Sequence, residues 1–561
     1  MRYIYLAIIF CSTFLQAQNP YPQDYFQSPL DITLVLSGTF AELRSNHFHS
    51  GLDIKTQGRQ GLKVYASAEG YVSRIKISHY GYGKALYITH PNGYVTVYAH
   101  LQKFAPKIEE CIKQKQYENE SYEIEIFPNP DELKIETQEL IAFSGNTGGS
   151  GGPHLHFEIR DKQERPINPM LFGFDIKDTR APMVLRAFAY PIDGDAHIDS
   201  SNEMKELKVN KKANGDYSTE KIVASGRIGF GVVSYDRQDF ASNKNGLWNI
   251  QSFFNGNKSI EIDFKRFSFD ETKHLNRLID YAFWKKNTSR IQKLFIQPNN
   301  PLSMYKYAND NGYVIIEDST ASVYKVRLMD YKGNESWLTI PITGKKVDTI
   351  EPKKIKATEH FIFADQAITL EQDHISVNFP KNTFYDDFFM DFSVNSDTLK
   401  LHNNTVPAQK YFYINFDVSK YDPKDRNKLY IASVSDWGKL YYANTRKKGD
   451  VLTCRTKNLG TYTLAMDLDD PTISAMNFQD GKWLSKYRYL KLKIDDETTG
   501  VNNYRATING KWILMEYDYK KNTLVYDFND NIISDTKNIL KVIVTDNVGN
   551  SSTFEATFYR K

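Results

Sequence analysis

The chain has 561 residues, too many for one hydrophobic core, which predicts three or four domains. Its 71 basic and 68 acidic side chains give a formal net charge of +3, a balance that argues against nucleic acid as a partner. Aromatic residues make up 14% of the chain and accompany many Asn, Gly and Asp turns, which favours β-rich modules.

The N-terminal stretch, residues 1–17, has the plan of a secretory signal peptide. An Arg precedes a short apolar run that ends near a small residue, Ala17. The run is shorter than the roughly 20 residues that a membrane-spanning helix needs, and no later stretch is long enough. Cys11 lacks the small preceding residue of a lipidated cysteine, and Cys111 and Cys454 are expected to be unpaired apolar residues of separate domains. We therefore expect an exported protein, in the periplasm, the cell envelope or the extracellular medium.

The first globular domain, expected over residues 18–172, reads as an antiparallel β-sheet. Short alternating runs follow one another over residues 65–101, and the Pro-Asn-Gly turn at residues 91–93 predicts a hairpin between two of them. Residues 103–140 interrupt this pattern with APKIEECIKQKQ, whose apolar residues have helical spacing, and with SYEIEIF, which alternates like a strand. We interpret this segment as an insertion at the rim of the sheet.

Beyond this domain the sequence predicts three consecutive β-rich modules, over residues 173–346, 347–467 and 468–561. An aspartate shortly before a proline marks each predicted start, near Asp178, Asp348 and Asp469. The first and last are expected to be β-sandwiches of immunoglobulin-like size, and the middle one is the least regular. One helical insertion, ETKHLNRLIDYAFWKKNTSRIQKLF, is expected in the first module. The whole chain is therefore predicted to be mainly β.

Two of these modules close with a matching motif. VRLMDYKGNESW contains Asp330 and Asn334, and VIVTDNVGNSST contains Asp546 and Asn550 at the same spacing. Their oxygens could bind Ca²⁺, but each motif alone is too short to supply the six or more oxygens that this ion takes. Turn formation is the favoured interpretation of both copies.

A histidine-rich segment, HFHSGLDI, is the first candidate metal site. His49 and Asp53 are four apart, and the intervening glycine allows a turn or bulge that would bring imidazole and carboxylate onto one ion. Taken alone, the segment is more easily explained as a hydrogen-bonded surface turn. PHLHFEIR changes this balance, because a strand would project His154, His156 and Glu158 from one face while the alternate apolar residues pack behind it.

Together the two motifs match the ligand count of a hydrolytic zinc site. Such sites typically use three nitrogen or oxygen ligands and leave a fourth position for water. His49, Asp53 and one histidine of the later pair would supply three ligands. The other histidine would lie unligated beside the water as a proton carrier, and His100, in VYAHL, is a further candidate at a strand end.

The order of these motifs resembles the lysostaphin-type, or LytM-like, zinc metalloendopeptidases of bacterial peptidoglycan. The resemblance covers about residues 28–170, through HSGLDI, GLKVYASAEGYV, TVYAHL and GNTGGSGGPHLHFEIR. It implies one Zn²⁺ in the domain and these functional residues: metal ligands His49, Asp53 and His156, and catalytic histidines His100 and His154. The chain departs from the family in the long insertion after His100 and in the absence of an obvious inhibitory pro-segment, which suggests that downstream domains or a partner impose any latency.

The function implied by this resemblance is that of a secreted zinc endopeptidase that cuts peptide cross-bridges of peptidoglycan, with the peptide stems as its binding partner. His154 is the expected general base, and His100 is expected to stabilise the oxyanion or protonate the leaving amine. The glycine-rich residues 145–152 lack the lysine of a phosphate-binding loop and are expected to form a wall of the cleft. Three other histidines are interpreted as turn or surface residues: His47, His79 and His90.

Two other functions remain as alternatives. The first is a catalytically silent scaffold that activates another wall hydrolase, a role that such domains adopt after losing ligands, whereas all five positions are filled here. The second is an adhesion or assembly protein of the envelope in which the peptidase domain is an accessory. The C-terminal β modules are candidates for docking an envelope protein in either case, and the sequence does not identify the bond that is cleaved.

Overall fold

The structure, a computed structural model, describes residues 20–561, so the predicted signal peptide and Cys11 lie outside the described part. The prediction of a mainly β protein is confirmed. No helix in residues 20–561 is long and apolar enough to cross a membrane. Within the same range, Cys111 and Cys454 are both free thiols.

The N-terminal part is built around a nine-stranded sheet. Along its main path the strands are, in spatial order, Leu36–Gly38, Leu52–Lys55, His154–Arg160, Val95–Ala99, Lys84–Thr89, Gly70–Ile77 and Ile124–Ile126, with Pro166–Ile167 and Lys134–Ile135 at its margins. A second sheet contains Lys63–Tyr65, Leu140–Phe143 and Lys103–Phe104. The predicted insertion forms an α-helix, Pro106–Glu118, and adds a strand to the edge of the large sheet. A 3₁₀ turn, Pro169–Phe172, follows the last strand.

A thirteen-stranded sheet follows. Its main path runs through Lys205–Leu207, Met183–Pro191, Ile222–Tyr235, Glu335–Gly344, Ala321–Met329, Asn249–Phe254, Asn257–Asp263 and Tyr305–Ala308, and its side strands are His197–Ile198, Val209–Lys211, Tyr217–Thr219, Gln292–Lys293 and Val314–Ile316. The predicted helical insertion is broken into Thr272–His274, Leu275–Leu278 and Tyr281–Asn287, and another 3₁₀ turn is Asp310–Gly312. Asp280 starts the last helix by accepting a hydrogen bond from the backbone N–H of Phe283.

The next region holds one two-stranded and two five-stranded sheets. The small sheet pairs His360–Ile362 with Phe388–Met390. One five-stranded sheet contains Ile368–Gln372, Ile375–Phe379, Phe412–Asp417, Val451–Thr456 and Thr445–Lys448. The other contains Phe392–Asn395, Thr398–Leu401, Gly460–Met466, Leu429–Val434 and Leu440–Tyr442. Both contribute to one core, which includes Ile414 and Leu399.

The C-terminal region has two sheets that share one core. The first contains Thr472–Ala475, Tyr489–Asp495, Thr523–Asp527 and Met515–Asp518, and the second contains Lys482–Trp483, Ser551–Tyr559, Lys537–Asp546, Val501–Ile508 and Lys511–Trp512. A 3₁₀ turn is Phe528–Asp530. Leu492 of one sheet and Val542 of the other belong to the same buried cluster, as in a β-sandwich. An immunoglobulin-like topology stays a prediction.

The hydrophobic core of the N-terminal part continues into the thirteen-stranded sheet. Phe40 and Phe48, on the loop before the second strand, pack on Phe267 with ring centroids 5.2 and 5.5 Å apart. One large cluster of buried apolar residues extends from Phe26 to Ile342 across both sheets, whereas the two later regions have clusters of their own. The loop that carries His49 is therefore anchored by residues far downstream in the sequence.

Candidate metal centre and active site

The structure brings three predicted ligands together on the N-terminal sheet. His49 Nε2 lies 3.0 Å from Asp53 Oδ1 and 3.1 Å from His156 Nδ1, and His156 Nδ1 lies 2.9 Å from the same Asp53 oxygen. All three side chains are buried, and their ligand atoms lie close enough to share one ion. The group could therefore hold a metal ion. His154 is close by, with Nε2 at 3.3 Å from Asp53 Oδ1.

Strand pairing accounts for this convergence. Asp53 lies directly opposite His156 in the antiparallel pair formed by Leu52–Lys55 and His154–Arg160. The turn that brings His49 to the same point requires the glycine between them, because a Cβ on Gly51 would stand 2.3 Å from the carbonyl oxygen of Phe157. The HxGxD spacing is thus a packing requirement as well as a ligand pattern.

The hydrogen bonds on the outer side of each imidazole identify which nitrogens face the cluster. His49 donates from Nδ1 to the carbonyl oxygen of Thr39 at 2.7 Å, and His156 donates from Nε2 to Glu158 Oε1 at 2.8 Å. In the neutral rings the inner nitrogens are then unprotonated, so two lone pairs and a carboxylate oxygen point at one another. A cation satisfies all three atoms at once, and this donor set fits Zn²⁺.

The charges around the cluster also favour a positive ion. Burial opposes ionisation of Asp53, but the charge on His49 and hydrogen bonds from the neighbouring imidazoles hold the pKa of the carboxyl well below its usual range. Burial likewise disfavours a charged His156, yet its hydrogen bonds to Asp53 and Glu158 raise the pKa of the ring to about 9. Without a metal, His156 therefore binds a proton at neutral pH, and its positive charge balances the carboxylates of Asp53 and Glu158.

The two predicted catalytic histidines lie beside the cluster and are oriented by the glycine-rich loop 145–152. His100 donates from Nδ1 to the carbonyl oxygen of Thr147 at 2.9 Å, and His154 donates from Nδ1 to the carbonyl oxygen of Gly152 at 2.8 Å. Their ring centroids are 4.8 Å apart. The loop thus fixes the tautomer of both rings and leaves each Nε2 free to accept a proton.

His100 follows the strand Val95–Ala99 in a left-handed backbone conformation with φ of 59°. A non-glycine residue pays for this conformation in strain and is often found at functional sites. Burial and the neighbouring His156 and His154 lower the pKa of the His100 ring to about 3. His100 is therefore a neutral imidazole at neutral pH.

Glu158 is a part of the site to which the sequence assigned no role. It is fully buried, and besides His156 it accepts hydrogen bonds from Ser50 Oγ at 2.6 Å and from the Tyr82 hydroxyl. Arg160 Nε donates to its other oxygen at 2.6 Å. Burial opposes ionisation, but the charge of Arg160 and the hydrogen bond from His156 hold the pKa of Glu158 well below its usual range. In the sequence, strand alternation already placed Glu158 on the same face as His154 and His156. This pattern could have indicated that Glu158 belongs to the site.

The part of the chain that carries this site is similar in sequence to known proteins. The model of peptidase family M23 matches residues 47–117. DD-carboxypeptidase/endopeptidase Mpg of Neisseria meningitidis is 34% identical over 128 residues, which are 23% of this chain and 23% of that protein. Residues 47–117 are therefore similar to peptidase family M23. The family resemblance over about residues 28–170, which we call the M23 region, is thereby confirmed.

Other relatives of the M23 region have similar extents. Peptidoglycan DD-endopeptidase ShyA of Vibrio cholerae is 32% identical over 122 residues, 22% of each chain. The crystal structure of a zinc-containing peptidase from the same species is 25% identical, with a TM-score of 0.20, and covers 27% of this chain and 40% of that one. The match spans less than a quarter of the length of these curated relatives. Residues 359–467 separately match the model of a Zu5-like domain, which the sequence analysis did not anticipate.

Three other histidines of the M23 region lie outside the cluster. His47 is exposed and bonds to Asn46. His90 is buried in its turn, where it bonds to the carbonyl oxygen of Glu69 and to Thr96 Oγ1. His79, interpreted from sequence as a surface residue, is instead half-buried and stacks on the ring of Tyr122, with centroids 4.9 Å apart.

The C-terminal region reaches the glycine-rich loop. Lys520 donates to the carbonyl oxygens of Asn146 and Ser150 at 2.7 and 2.6 Å, and Tyr519 donates to that of Gly148 at 3.1 Å. Elsewhere, the inserted helix contributes Tyr117, which donates to Asp530 at 2.7 Å. Residues separated by about 370 positions therefore meet at the loop that orients both catalytic candidates.

Proposed function

We propose that this protein is an exported zinc endopeptidase that hydrolyses peptide cross-bridges of peptidoglycan. The observation that carries the proposal is the convergence of two unprotonated imidazole nitrogens and one carboxylate oxygen at a single buried point. The substrate class rests on relatives whose names describe DD-endopeptidases, one of them a peptidoglycan enzyme. Export rests on the signal-peptide pattern of residues 1–17.

His49, Asp53 and His156 would hold the zinc ion. When bound, zinc lowers the pKa of a water ligand to about 7 and polarises a carbonyl oxygen. Arg44 would keep Asp53 ionised, since its Nη2 lies 2.9 Å from Asp53 Oδ2. Glu158 would keep His156 in the tautomer that presents Nδ1 to the metal.

His154 is the proposed general base. Its Nδ1 proton is committed to the glycine-rich loop, so its Nε2, on the side of Asp53, can take the proton of the attacking water. His100 has the same arrangement and is neutral, so its Nε2 becomes a donor only after accepting a proton. We propose that His100, whose ring centroid lies 4.8 Å from that of His154, receives the proton that His154 has taken from the water, and in this protonated form stabilises the oxyanion or delivers the proton to the leaving amine.

A five-variant series tests these assignments. His49→Ala, Asp53→Ala and His156→Ala are expected to lose both zinc and activity. His154→Ala and His100→Ala are expected to keep zinc and lose about 10² to 10⁴ in rate. Zinc content and the release of new amino groups from purified sacculi are measured for each variant.

His47→Ala serves as the control and is expected to keep both zinc and activity, because His47 is exposed and outside the cluster. If His154→Ala lost its zinc while His156→Ala kept it, the roles of the paired histidines would be reversed. A zinc-loaded wild-type chain that releases no amino groups from sacculi would favour the scaffold or adhesion alternatives instead.

A further inference from the structure

A large cleft lies between the thirteen-stranded region and the region that matches the model of a Zu5-like domain. Its volume is about 900 Å³. Ligand sites typically have roughly 300 to 1,000 Å³ and often lie at such boundaries between domains. The residues that line the cleft begin at His274, so the M23 region does not contribute to it.

The two walls of the cleft are held together by direct contacts. Arg277 is 5% exposed, and its guanidinium binds both carboxylate oxygens of Asp386, with Nη2 at 2.5 Å from Oδ1. In the lining itself, Asn299 donates from Nδ2 to the carbonyl oxygen of Tyr385 at 3.1 Å. Because these contacts hold the walls before a ligand arrives, binding does not have to order them.

His274 provides a buried polar group in the lining. It is 7% exposed, and its Nδ1 lies 3.0 Å from the Tyr385 hydroxyl. Its Nε2 forms no hydrogen bond with any of residues 20–561. Burial and the charge of Lys273 lower the pKa of the ring, so it is neutral at neutral pH. A neutral imidazole nitrogen suits a hydroxyl group, which can either donate or accept a hydrogen bond.

Uncharged amides are the commonest polar side chains of the lining. Among residues 20–561, Asn382 and Gln366 have no hydrogen-bond partner for their side chains. Gln409 uses only its Nε2, which donates to the carbonyl oxygen of Phe384 at 3.3 Å. Each amide carries donors and acceptors without a net charge. The cleft therefore offers neutral hydrogen-bonding groups to a ligand.

The charged side chains of the lining do not select an ion. They are two carboxylates, Asp365 and Asp387, and one ammonium, Lys410. Asp387 accepts a hydrogen bond from the backbone N–H of Ala364 at 2.8 Å, and Lys410 donates to the carbonyl oxygen of Lys381 at 3.0 Å. Because the opposite charges nearly balance, the lining favours a ligand without a large net charge.

An exposed aromatic patch adjoins these polar groups. Phe363 lines the cleft, is 47% exposed and contacts Phe361, with ring centroids 5.0 Å apart. Phe361 also contacts Phe389 across the small two-stranded sheet, with centroids 4.8 Å apart. Exposed apolar groups that contact one another often mark a binding surface. The CH groups on the face of a sugar ring can pack on an aromatic ring, while the hydroxyl groups at its edge need polar partners.

We propose that this cleft binds a neutral glycan chain. Phe363 packs against the apolar face of a sugar ring, and Gln366, Asn382 and His274 bond its hydroxyl groups. The identification of this chain as the glycan strand of peptidoglycan rests on the proposed function, whereas binding itself requires neither zinc nor catalysis. The cleft then retains the polymer whose peptides the M23 region cuts.

Calorimetric titration with chitotetraose, a short chain of N-acetylglucosamine units, tests the site. The full-length wild type is expected to bind one chitotetraose per chain. Phe363→Ala and Gln366→Ala are each expected to bind it about ten-fold more weakly, because one removes the stacking surface and the other a hydrogen-bonding group. Both side chains are exposed, so neither change opens a cavity in the core. Trp437→Ala is the control, since Trp437 is 95% exposed but lies outside the cleft.

Chitotetraose contains no peptide, so its binding is measured apart from the proposed endopeptidase activity. Absence of binding to the wild type, or unchanged affinity in both cleft variants, would overturn the proposal. Loss of binding in Trp437→Ala but not in Phe363→Ala would place the glycan elsewhere and would also overturn it. Peptide-free glycan strands from sacculi are expected to compete with chitotetraose. Failure to compete would overturn the assignment to peptidoglycan.

Discussion

His156 is held through both of its ring nitrogens, one towards the metal site and one towards Glu158. The Glu158 carboxylate is shared with Arg160, Ser50 and Tyr82, so its orientation is fixed by four partners. A partner of this kind sets the tautomer and the basicity of a metal-binding histidine. If the site binds the proposed zinc ion, its affinity would therefore depend on Glu158, which is not one of the proposed ligands.

We predict that Glu158→Gln lowers zinc affinity by about 10 to 100-fold, because the neutral amide is a weaker acceptor for the His156 Nε2 proton. Zinc affinity is measured by competition with a chelator. Glu164→Gln is the matched control, since Glu164 is the exposed second partner of Arg160, at 2.9 Å from Nη1. Equal zinc affinity in the two variants would contradict this role for Glu158.

For individual residues, the sequence predicted the three side chains that converge at the candidate metal centre, but it did not predict the residues that orient them. His49, Asp53 and His156 carry a spacing pattern, and they converge in the structure. Tyr82 and Thr39 carry no such pattern, because a hydroxyl or a backbone carbonyl in a supporting role is brought to the site by the fold alone. The assignment of a role to each histidine remains a proposal.

Two elements, the strand Leu52–Lys55 and the strand His154–Arg160, determine the geometry of the metal site. Their antiparallel register places Asp53 opposite His156, and a shift by one residue would move His156 to the other face of the sheet. The close approach of Gly51 to the Phe157 carbonyl makes this register sensitive to a single methyl group.

We predict that Gly51→Ala loses bound zinc, because its Cβ would displace the backbone that carries His49 or the strand that carries His156. Metal analysis of the purified variant gives the result. Gly151→Ala is the control, since a Cβ there has no heavy atom within 4 Å. Retention of zinc by Gly51→Ala would mean that the two strands can separate without loss of the site.

The loop of Asp236 gives a prediction for pH dependence. Burial and the negative charges of Asp178 and Asp330 raise the pKa of Asp236 to about 8 in the folded protein, against about 3.9 in an unfolded chain, so the folded state binds an extra proton between these pH values. Its contribution to stability is therefore present below about pH 4 and is lost as pH rises through about 8. The melting temperature of the wild type is expected to fall relative to that of Asp236→Asn between pH 5 and pH 8. A constant difference would contradict the raised pKa.

Sequence pattern predicted elements well where periodicity is strong. The hairpin at residues 91–93 joins the strands Lys84–Thr89 and Val95–Ala99, and the inserted helix Pro106–Glu118 covers the segment with helical spacing. It failed to show that the helix in residues 271–295 is broken, because Leu278 and Ile279 suit a continuous apolar face equally well. Asp178, Asp236 and Asp330 come from separate elements, and only the fold brings their carboxylates together.

At the scale of the whole molecule, two downstream regions contact different parts of the candidate active site. Thr39, whose carbonyl orients His49, accepts a hydrogen bond at its Oγ1 from the backbone N–H of Gly246 at 2.9 Å. On the other side, Lys520 fixes the loop that orients both catalytic candidates. Regions beyond residue 172 therefore contact the residues that orient the candidate site.

We predict that Lys520→Ala lowers the turnover of a soluble peptide substrate while zinc content is unchanged, because the glycine-rich loop loses the ammonium that joins two of its carbonyl groups. Lys521→Ala is the matched control, since Lys521 is mostly exposed and its ammonium forms an ion pair with Asp518, away from the glycine-rich loop. A rise in turnover for Lys520→Ala would indicate that the C-terminal region covers the cleft and does not support it.

The uninterrupted core between the N-terminal sheet and the thirteen-stranded sheet limits how this protein can be shortened or recombined. A chain ended at residue 172 would expose Phe40 and Phe48, whose packing partner is Phe267. A fragment that keeps this core would extend through Gly344, the end of the last strand in that sheet, but it would lack Lys520, which contacts the glycine-rich loop. Exchange of the M23 region with that of a relative would likewise require transfer of both sheets together.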